Sequence, residues 1–271
     1  GHSRLCLPKS LVCAVMCAEA EEACNLDLMI PTRRRYRHLF FDLDNTLWDF
    51  NHNSRQALWE SFGWFSLDRA LFDDFLAVYN RHNDALWELY RRNGITKQEL
   101  SRARFDRTMQ ELGIGGIEGL EFNRIYLMLM PLQTHLCEGA PEVLEKLSQK
   151  YQMHIITNGF SEVQFSKLER SGLNLFFKQI FVSEEIKSPK PSPEIFRYAL
   201  KSCNARKKES LMIGDSWEVD VVGAMGAGID QVYYNPENET NGYAGKKGAI
   251  PGSGGTLTYR IVRLKELLDI L

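Results

Sequence analysis

The 271-residue sequence lacks the features that would assign it to a membrane or a nucleic-acid-binding class. No apolar run approaches the roughly 18 to 20 residues that a membrane-spanning helix needs. The formal net charge is -2, with 33 basic and 35 acidic residues, so the chain has no overall positive charge to attract nucleic acid or an anionic membrane. We therefore expect a small-molecule partner, no nucleic acid polymer and no membrane association.

Cysteine is scarce in the body of the chain. Four of the six cysteines lie in the first 24 residues, and only Cys137 and Cys203 follow. This distribution excludes a disulfide framework for the main part of the protein and favours a reducing, cytoplasmic location. We interpret residues 1–35 as an N-terminal extension of unassigned role, with Met29 as a candidate start of the native chain. Its cysteines have no C-x-x-C pair or His cluster, which argues against a zinc site.

Short apolar runs that end in polar or small residues recur along the chain, and this pattern is typical of strands buried on both faces of a parallel sheet. The runs are HLFFDLD (38–44), MHIITNG (153–159), QIFVSEE (179–185), LMIGDS (211–216), QVYYNP (231–236) and TYRIV (258–262). Helix patterns alternate with them, at residues 142–150, 161–172, 192–203 and 263–271. The order predicts an α/β protein with a Rossmann-like, doubly wound parallel sheet.

The segment 51–131 differs from the rest, because it contains four helix patterns and no buried strand pattern. Thr96 and Glu99 form a capping-box pair at the start of one of these helices. We therefore predict an inserted, all-helical cap domain at 51–131, within a core domain made of residues 36–50 and 132–271. Ligands of open α/β sheets bind outside the carboxyl ends of the strands, so an insertion at this point is expected to cover the site.

The first predicted strand ends in the sequence D-x-D-x-T, which contains Asp42 and Asp44. Side chains two positions apart in an extended segment point the same way, so both carboxylates can face one substrate. One carboxylate can attack phosphorus to form an aspartyl-phosphate, and the other can protonate the leaving oxygen and later activate water. The alternative is that both residues only form a turn.

Two further strand ends carry groups suited to phosphate. Thr157 and Asn158 precede a helix start, where a hydroxyl and free backbone N–H groups can receive phosphate oxygens, although TNG is also a common turn. Lys190 lies between two prolines that restrict its backbone, and its ammonium group could neutralise a transferring phosphoryl group. Lys187 is the local alternative, and we favour Lys190 because of those prolines.

The fourth strand end is acidic, with Asp215 followed five residues later by Asp220. Mg²⁺ prefers carboxylate oxygens together with water and phosphate oxygens, and a bound cation would let an acidic pocket accept an anionic substrate. Alternatively, Asp215 caps the following helix. Each of the four signals is weak alone, and their order at successive strand ends is what favours a phosphoryl-transfer site.

With these motifs, "DLDNT", "ITNG", "KPSPEIF" and "GDSWEVD", the chain resembles the haloacid dehalogenase superfamily in its phosphatase form. The resemblance runs from about Tyr36 to the end. It implies a Rossmann-like core with a C1-type helical cap and a Mg²⁺ cofactor. It implies Asp42 as nucleophile, Asp44 as general acid/base, and Thr157 and Lys190 as catalytic residues that bind the phosphate. It also implies Asp215 and the backbone carbonyl of Asp44 as metal ligands, with Asp220 as support of the metal site. We add Asp42 to the expected metal ligands and Asn158 to the expected substrate-binding residues.

A longer resemblance narrows the substrate. The segments "ALWELYRRNGITKQELSRARFDRTMQELG", "ITNGFSEVQFSKLERSGL" and "VSEEIKSPKPSPEIF" are similar to the bacterial 5′-nucleotidase branch that acts on pyrimidine nucleoside monophosphates. The alternatives are a phosphatase of another small metabolite such as phosphoglycolate or a sugar phosphate, a phosphomutase, and an inactive-scaffold binding protein. A 2-haloacid dehalogenase needs neither Asp44 nor the acidic fourth motif, so the presence of both argues against that activity. The expected assembly is a monomer or a homodimer.

Within the helical insertion, aromatic and basic side chains are candidates for contact with a base or sugar. They are Tyr79, Trp87, Tyr90 and Arg91, joined by Phe50 and His52 just after the first motif. The alternative is that aromatic residues at helical spacing pack one helix on another.

Overall fold

A computed structural model describes residues 36–237, 250–251 and 253–271, so the predicted N-terminal extension lies outside the described residues. One seven-stranded sheet forms the centre of the described part of the chain. The strands are β1 (His38–Phe41), β2 (Gln152–Thr157), β3 (Gln179–Val182), β4 (Ser210–Gly214), β5 (Asp230–Tyr234), β6 (Ile250–Pro251) and β7 (Leu257–Ile261). Their spatial order is β3-β2-β1-β4-β5-β7-β6. All neighbouring pairs are parallel except β6 with β7.

Helices connect the parallel strands. They are α1 (Phe50–Trp64), α2 (Phe72–Arg91), α3 (Lys97–Glu111), α4 (Gly119–Leu129), α5 (Ala140–Ser148), α6 (Ser161–Arg170), α7 (Ser183–Ile186), α8 (Pro193–Ser202), α9 (Gly223–Ala227) and α10 (Leu267–Ile270). A π-helical segment, Trp217–Val222, leads directly into α9. None of the helices in the described ranges combines the length and the apolarity that crossing a bilayer requires.

The two faces of the sheet bury separate clusters of apolar side chains. Leu39 and Phe41 of β1 belong to the cluster that includes α5 and α6, whereas Phe40 between them belongs to the cluster that includes α8 and α9. Because side chains alternate along a strand, a run such as HLFF covers both faces, and such a run is buried only in a sheet with helices on both sides. The doubly wound α/β fold predicted from the apolar runs is therefore confirmed.

The helices α1 to α4, with the 3-10 turns that flank them, form an all-helical insertion between β1 and β2, which we call the helical insertion (residues 50–132). Aromatic side chains from all four helices fill its interior, namely Phe62, Phe75, Tyr79, Phe105, Phe122 and Tyr126. The predicted capping box is present at the start of α3, where the Thr96 side chain accepts from the Glu99 N–H and Glu99 accepts from the Thr96 N–H.

The structure differs from the prediction at the end of one strand and in one additional strand. The run QIFVSEE was interpreted as one strand, but β3 ends at Val182 and the last three residues begin α7. Glu184 and Glu185 lie in the first turn of α7, where acidic side chains are favoured by the helix dipole. The short strand β6 was not predicted, since its two residues follow a glycine-rich segment without an apolar run. Cys137 and Cys203 are free thiols.

Candidate active site

The predicted strand-end residues meet where the sheet changes its winding direction. From β1 the chain continues to β2 and β3 on one side and returns to β4 on the other, so β1 and β4 border the topological switch point. Asp42 directly follows β1, and Asp215 directly follows β4. Open α/β sheets bind ligands in the crevice at this point. Because β1 and β4 are neighbours in the sheet, the two aspartates that follow them lie side by side at this crevice.

A cavity of about 330 Å³ opens above these strand ends. This volume is in the range of small-molecule sites. The structure brings all seven sequence-predicted core residues to its wall, namely Asp42, Asp44, Thr157, Asn158, Lys190, Asp215 and Asp220. The local alternative, Lys187, does not line the cavity; it ends α7 in a left-handed conformation with φ 56°. The choice of Lys190 over Lys187 thus agrees with the geometry.

Lys190 lies between two carboxylates. Its Nζ donates to Oδ1 of Asp42 and to Oδ1 of Asp220, at 2.6 Å in each case, and its side chain is 1% exposed. Burial lowers the pKa of Lys190, but Asp220 and Asp42 outweigh that effect and raise it above the ordinary value. The ammonium group therefore stays charged beside Asp42, where it can orient one carboxylate oxygen and neutralise anionic oxygens of a ligand.

Asp42 occupies a strongly acidic environment. Burial raises its pKa well above the ordinary value, Lys190 opposes this shift, and Asp220, Asp215 and Asp44 add to it. The pKa of Asp215 is raised to about 7, chiefly by burial and by the charge of Asp220. A site that makes ionisation of its own carboxylates this unfavourable gains from a bound cation.

The acidic residues fit a divalent cation. Carboxylate oxygens of Asp42, Asp215 and Asp220 lie within 4.8 Å of one another. On the sheet side of the cavity, four carboxylates are matched by two ammonium groups, Lys190 and Lys167, among the described residues that line it. When all four carboxylates are ionised, the excess of two negative charges balances the charge of Mg²⁺, and an all-oxygen donor set is what Mg²⁺ prefers.

Within this cluster, Asp220 differs from Asp42 and Asp215 because both of its oxygens already accept hydrogen bonds. Oδ1 accepts from Lys190 Nζ, and Oδ2 accepts from the Ser216 N–H at 3.1 Å. The approach is close: a Cβ on Gly214 would lie 2.3 Å from Asp220 Oδ2, so only glycine fits there. Asp220 is therefore suited to holding Lys190, and Asp42 and Asp215 are better suited to bind a metal ion.

Asp215 is positioned by the first motif and does not cap the following helix. The Thr46 hydroxyl donates to Asp215 Oδ1 at 3.3 Å and accepts from the Asp215 N–H at 3.1 Å. The N-terminal cap of the Trp217–Val222 segment is Ser216, whose side chain accepts from the Val219 N–H. The alternative interpretation of Asp215 as a helix cap is therefore wrong, and its carboxylate remains directed toward the cavity.

The carboxylate of Asp44 is held by two residues of α6 that were missed in the sequence. Lys167 Nζ donates to Asp44 Oδ1 at 2.7 Å, and Gln164 Nε2 donates to Oδ2 at 3.0 Å. Both side chains are fully buried, and Lys167 Nζ also lies 4.2 Å from the centre of the Trp48 ring. Burial lowers the pKa of Lys167, and Asp44 opposes that shift. Asp44 is thus directed by the neighbouring helix as well as by its own strand.

Gln164 also determines what the Thr157 hydroxyl can do. Its Nε2 donates to Thr157 Oγ1 at 2.6 Å, so the hydroxyl oxygen accepts and its own proton is left to donate to a ligand. A Cβ on Gly159 would lie 2.3 Å from Gln164 Cδ, so the glycine of the TNG motif makes room for this side chain. The turn and the phosphate-binding interpretations of TNG are therefore compatible.

Asn158 was predicted to contact substrate, and the structure gives it a second task. Its Nδ2 donates to the Lys190 carbonyl at 2.9 Å, and its Oδ1 accepts from the Lys190 N–H at 2.8 Å. This reciprocal pair fixes the Lys190 backbone against the end of β2. Asn158 lines the cavity, but its amide group is engaged with the loop that carries Lys190.

The helical insertion supplies the opposite wall of the cavity. The insertion residues that line it are Asn83, Asp84, Trp87, Arg91, Arg104, Leu127 and Met130, with Phe50 at the start of α1. Of the candidates named from the sequence, Trp87, Arg91 and Phe50 therefore reach the cavity. Tyr79, Tyr90 and His52 do not line it. Tyr79 is buried in the aromatic interior, Tyr90 packs on Phe160, and the His52 ring contacts the His135 ring at a tilt of 36°.

An ion-pair cluster joins the helical insertion to the core beside the cavity. Lys97 Nζ donates to Glu162 Oε1 at 2.9 Å and to Glu184 Oε1 at 2.8 Å, and it lies 4.4 Å from the centre of the Phe160 ring. Trp87 packs on the same ring, with the two centroids 5.2 Å apart. These contacts connect the insertion to the start of α6, the helix that carries Gln164 and Lys167.

Comparison with known proteins gives a consistent family. Residues 36–228 match the haloacid dehalogenase-like hydrolase family. The chain is 34% identical to the HAD-hydrolase YfnB of Bacillus subtilis over 88% of this chain and 96% of that protein. It is 32% identical to the pyrimidine 5′-nucleotidase PynA of Streptococcus pneumoniae over 87% of this chain and 95% of that protein.

A third relative is the pyrimidine 5′-nucleotidase YjjG of Escherichia coli, which is 33% identical over 86% of this chain and 96% of that protein. The crystal structure of YfnB bound to magnesium superposes with a TM-score of 0.77 at 32% identity, and it covers 88% of this chain and 99% of that one. The matched range 36–228 spans all four strand-end motifs and the helical insertion that follows the first of them. The chain therefore belongs to the haloacid dehalogenase-like hydrolase family.

Proposed function

We propose that this protein is a Mg²⁺-dependent phosphatase that hydrolyses pyrimidine nucleoside 5′-monophosphates through an aspartyl-phosphate on Asp42. The observation that carries the proposal is the pairing of Asp42 with Lys190 at 2.6 Å, inside a cavity where Asp42, Asp215 and Asp220 together could hold a cation. A buried carboxylate next to a fixed ammonium group can act as a nucleophile toward an anionic phosphate, because the positive charge offsets the repulsion between them.

In the first half of the reaction, a carboxylate oxygen of Asp42 attacks phosphorus and the bond from phosphorus to the nucleoside O5′ breaks. Asp44 donates a proton to that leaving oxygen, so the nucleoside departs as an alcohol. Lys190 and the Thr157 hydroxyl bind the non-bridging phosphoryl oxygens. In the second half, Asp44 takes a proton from water, and the water oxygen attacks phosphorus. Phosphate leaves and the Asp42 carboxylate is restored.

Mg²⁺ would be held by the carboxylates of Asp42 and Asp215 and by the backbone carbonyl of Asp44, with Asp220 supporting the site through Lys190. When bound, the ion supplies positive charge that neutralises phosphoryl oxygens. The rest of the chemistry belongs to the side chains. Gln164 and Lys167 hold the Asp44 carboxylate near the leaving group, and this positioning serves both of its proton transfers.

The helical insertion acts in this proposal as a cap that covers the substrate. Trp87 and Phe50 supply aromatic surface in the cavity for a base, and Lys97 holds the insertion to the core. The names of two relatives, PynA and YjjG, support the choice of pyrimidine nucleotides. A closed cap excludes water from the first half of the reaction, so phosphate passes to Asp42 before it passes to water.

Phosphate release from a panel of substrates tests the proposal. The panel contains UMP, dUMP, dTMP, AMP, ribose 5-phosphate and phosphoglycolate, each with Mg²⁺ and with a chelator. We expect Mg²⁺-dependent release that is fastest from the pyrimidine nucleotides, and none from Asp42→Asn. Preference for phosphoglycolate or ribose 5-phosphate would contradict the nucleotidase assignment. Phosphoryl transfer to a second sugar without release of free phosphate would indicate a mutase. Inertness toward every phosphoester would favour a binding protein.

A further inference from the structure

Arg104 presents a buried positive charge to the cavity from the side of the helical insertion. It lies in the middle of α3, its residue is 3% exposed, and it is one of the residues that line the cavity. Burying an ionised group is unfavourable unless another charge or several strong hydrogen bonds compensate for it. The partners of this guanidinium group therefore decide whether its role is structural or functional.

Among the described residues, every hydrogen-bond partner of the Arg104 side chain is neutral. Nε and Nη2 donate to Asn123 Oδ1, the former at 3.1 Å. Nη1 donates to Asn83 Oδ1 at 3.3 Å and to the Tyr79 hydroxyl at 3.4 Å. No carboxylate of the described residues lies within 4.0 Å of it, whereas seven of the other arginines in the described part form such ion pairs.

These neutral contacts fix the direction of the guanidinium plane without neutralising its charge. Asn123 is on α4, and Asn83 and Tyr79 are on α2, so the side chain is held from both neighbouring helices. The rings of Phe105 and Tyr126 lie 5.2 and 5.3 Å from Arg104 Cζ and restrict it further. Four of its five N–H groups are committed to these contacts, and one N–H on Nη2 is left. A rigidly held donor whose charge no carboxylate of the described residues offsets is suited to an oxygen of a ligand.

The surrounding wall indicates which part of a substrate that oxygen belongs to. Phosphate is accounted for on the sheet side, by Lys190, Thr157 and the cation site. Arg104 and Asn83 lie on the insertion side of the same cavity, together with the Trp87 ring. A flat group with carbonyl oxygens at its edge matches this combination, because its face can stack on an aromatic ring while its edge accepts hydrogen bonds.

We propose that Arg104 determines substrate specificity by donating its remaining N–H, on Nη2, to a carbonyl oxygen of the pyrimidine base, with Asn83 and Asn123 holding its guanidinium group in place. The proposal rests on the proposed nucleotidase function and adds the residue that reads the base. Uracil, thymine and cytosine all carry such an oxygen and adenine carries none, so Arg104 favours pyrimidine nucleotides over AMP.

The test compares Arg104→Met with Arg102→Met, an exposed arginine on the same helix. Each enzyme is assayed on UMP, on ribose 5-phosphate, which lacks the base, and on phosphoglycolate, which carries a small carboxylate. Loss of the hydrogen bond from a charged donor is expected to lower kcat/KM for UMP by about 10- to 100-fold, mainly through KM. The rate on ribose 5-phosphate should change less than about threefold, and Arg102→Met should resemble the wild type.

Equal losses of kcat/KM on UMP and ribose 5-phosphate would overturn the proposal, because they indicate a structural role for Arg104. A selective loss on phosphoglycolate would also overturn it, since the oxygen would then belong to a carboxylate. If Arg104→Met does not fold, Arg104→Lys keeps the charge, loses the fork, and must show the same selective rise in KM for UMP. A wild-type enzyme that prefers ribose 5-phosphate to UMP contradicts the nucleotidase function itself, which is a separate result.

Discussion

The ammonium group of Lys167 lies 2.7 Å from Oδ1 of Asp44, although 123 residues separate them in the sequence. Lys167 is 2% exposed, and its Nζ also lies near the Trp48 ring. A buried lysine beside the proposed general acid/base restricts where that carboxylate can point. This relationship makes α6 a part of the proposed catalytic apparatus, with Lys167 acting through the position of Asp44.

Substitution of Lys167 by Met should therefore lower kcat and leave KM for UMP nearly unchanged. We expect a decrease in kcat of about 10- to 100-fold, a part of the effect of a well-placed acid/base group. Steady-state kinetics across pH measures this, and the pH profile of kcat should also change because the charge next to Asp44 is removed. Lys150→Met, at an exposed lysine, is the control. An unchanged kcat and pH profile in Lys167→Met would contradict the positioning role.

The Lys97 ion pairs should contribute to closure of the helical insertion over the core. Burial lowers the pKa of Lys97, but hydrogen bonds to Glu184 and Glu162 outweigh this and raise it, so the group is charged at neutral pH. Partly exposed ion pairs contribute up to about 1 kcal/mol each, so Lys97→Ala should raise KM by about two- to fivefold with a small effect on kcat.

Salt provides the control for the Lys97 prediction. Raised ionic strength should increase the wild-type KM and should have less effect on Lys97→Ala, because the screened pairs are already absent. Lys146→Ala removes an exposed ion pair with Glu142, which lies in the α/β part of the protein away from the insertion. This variant should keep the salt response of the wild type. The same salt dependence in all three proteins would show that Lys97 does not hold the insertion.

Binding of Mg²⁺ at the carboxylate cluster should stabilise the fold independently of catalysis. At 100 times its dissociation constant, a ligand adds about 2.7 kcal/mol, which should raise the Tm by about 5 to 10 °C. Because the pKa of Asp215 is raised to about 7, the measurement belongs near pH 8. In Asp215→Ala the Mg²⁺-dependent shift in Tm should be lost, whereas the exposed control Glu145→Ala should retain it. An equal shift in Asp215→Ala would place the ion elsewhere.

Stability should fall in mildly acidic solution because of His154, which lies on the face of the sheet toward α8. Burial and the neighbouring His38 lower the pKa of His154 to about 4, below the ordinary value near 6.5 of the unfolded chain. Between these values the unfolded chain binds more protons than the folded protein. The contribution of His154 to stability is therefore fully present above about pH 6.5 and is lost as the pH falls toward about 4.

Urea unfolding between pH 7 and pH 4.5 measures the contribution of His154. The free energy of unfolding of the wild type should decrease by about 2 kcal/mol more than that of His154→Leu over this range. His52→Leu removes an exposed histidine and should keep the wild-type dependence on pH. Parallel curves for the wild type and His154→Leu would show that this histidine is not buried in its neutral form.

Much of the fold and of the sheet side of the site could be predicted, because both follow from local patterns. Asp42 and Asp215 each end an apolar run, and parallel strands bring such ends to one edge of the sheet. The error at β3 came from three polar residues, Ser183 to Glu185, which follow the apolar run directly and begin a helix instead of ending the strand. Local pattern alone does not decide between these two states.

The residues that hold others in place were missed for a different reason. Gln164 and Lys167 are spaced three apart on the buried face of α6, and this polar pair among Val163 and Leu168 was a signal that the sequence offered. The sequence contained no such signal for Arg104, because its partners lie on two other helices and only the structure shows that they are neutral. Tyr79 looked like a base contact but fills the aromatic interior, because a large ring at helical spacing gains most by packing.

The most direct test of the account is detection of phosphate bonded to Asp42 during turnover. Enzyme mixed with UMP and Mg²⁺ is quenched in acid within milliseconds and digested, and the masses of the peptides are measured by mass spectrometry. We expect one added phosphoryl group on the peptide that contains Asp42 and none in Asp42→Asn. With a substrate that has a good leaving group, more of the phosphorylated peptide should accumulate in Asp44→Asn. Turnover at the full rate without any phosphorylated peptide, or the same rate in Asp42→Asn, would contradict the aspartyl-phosphate mechanism.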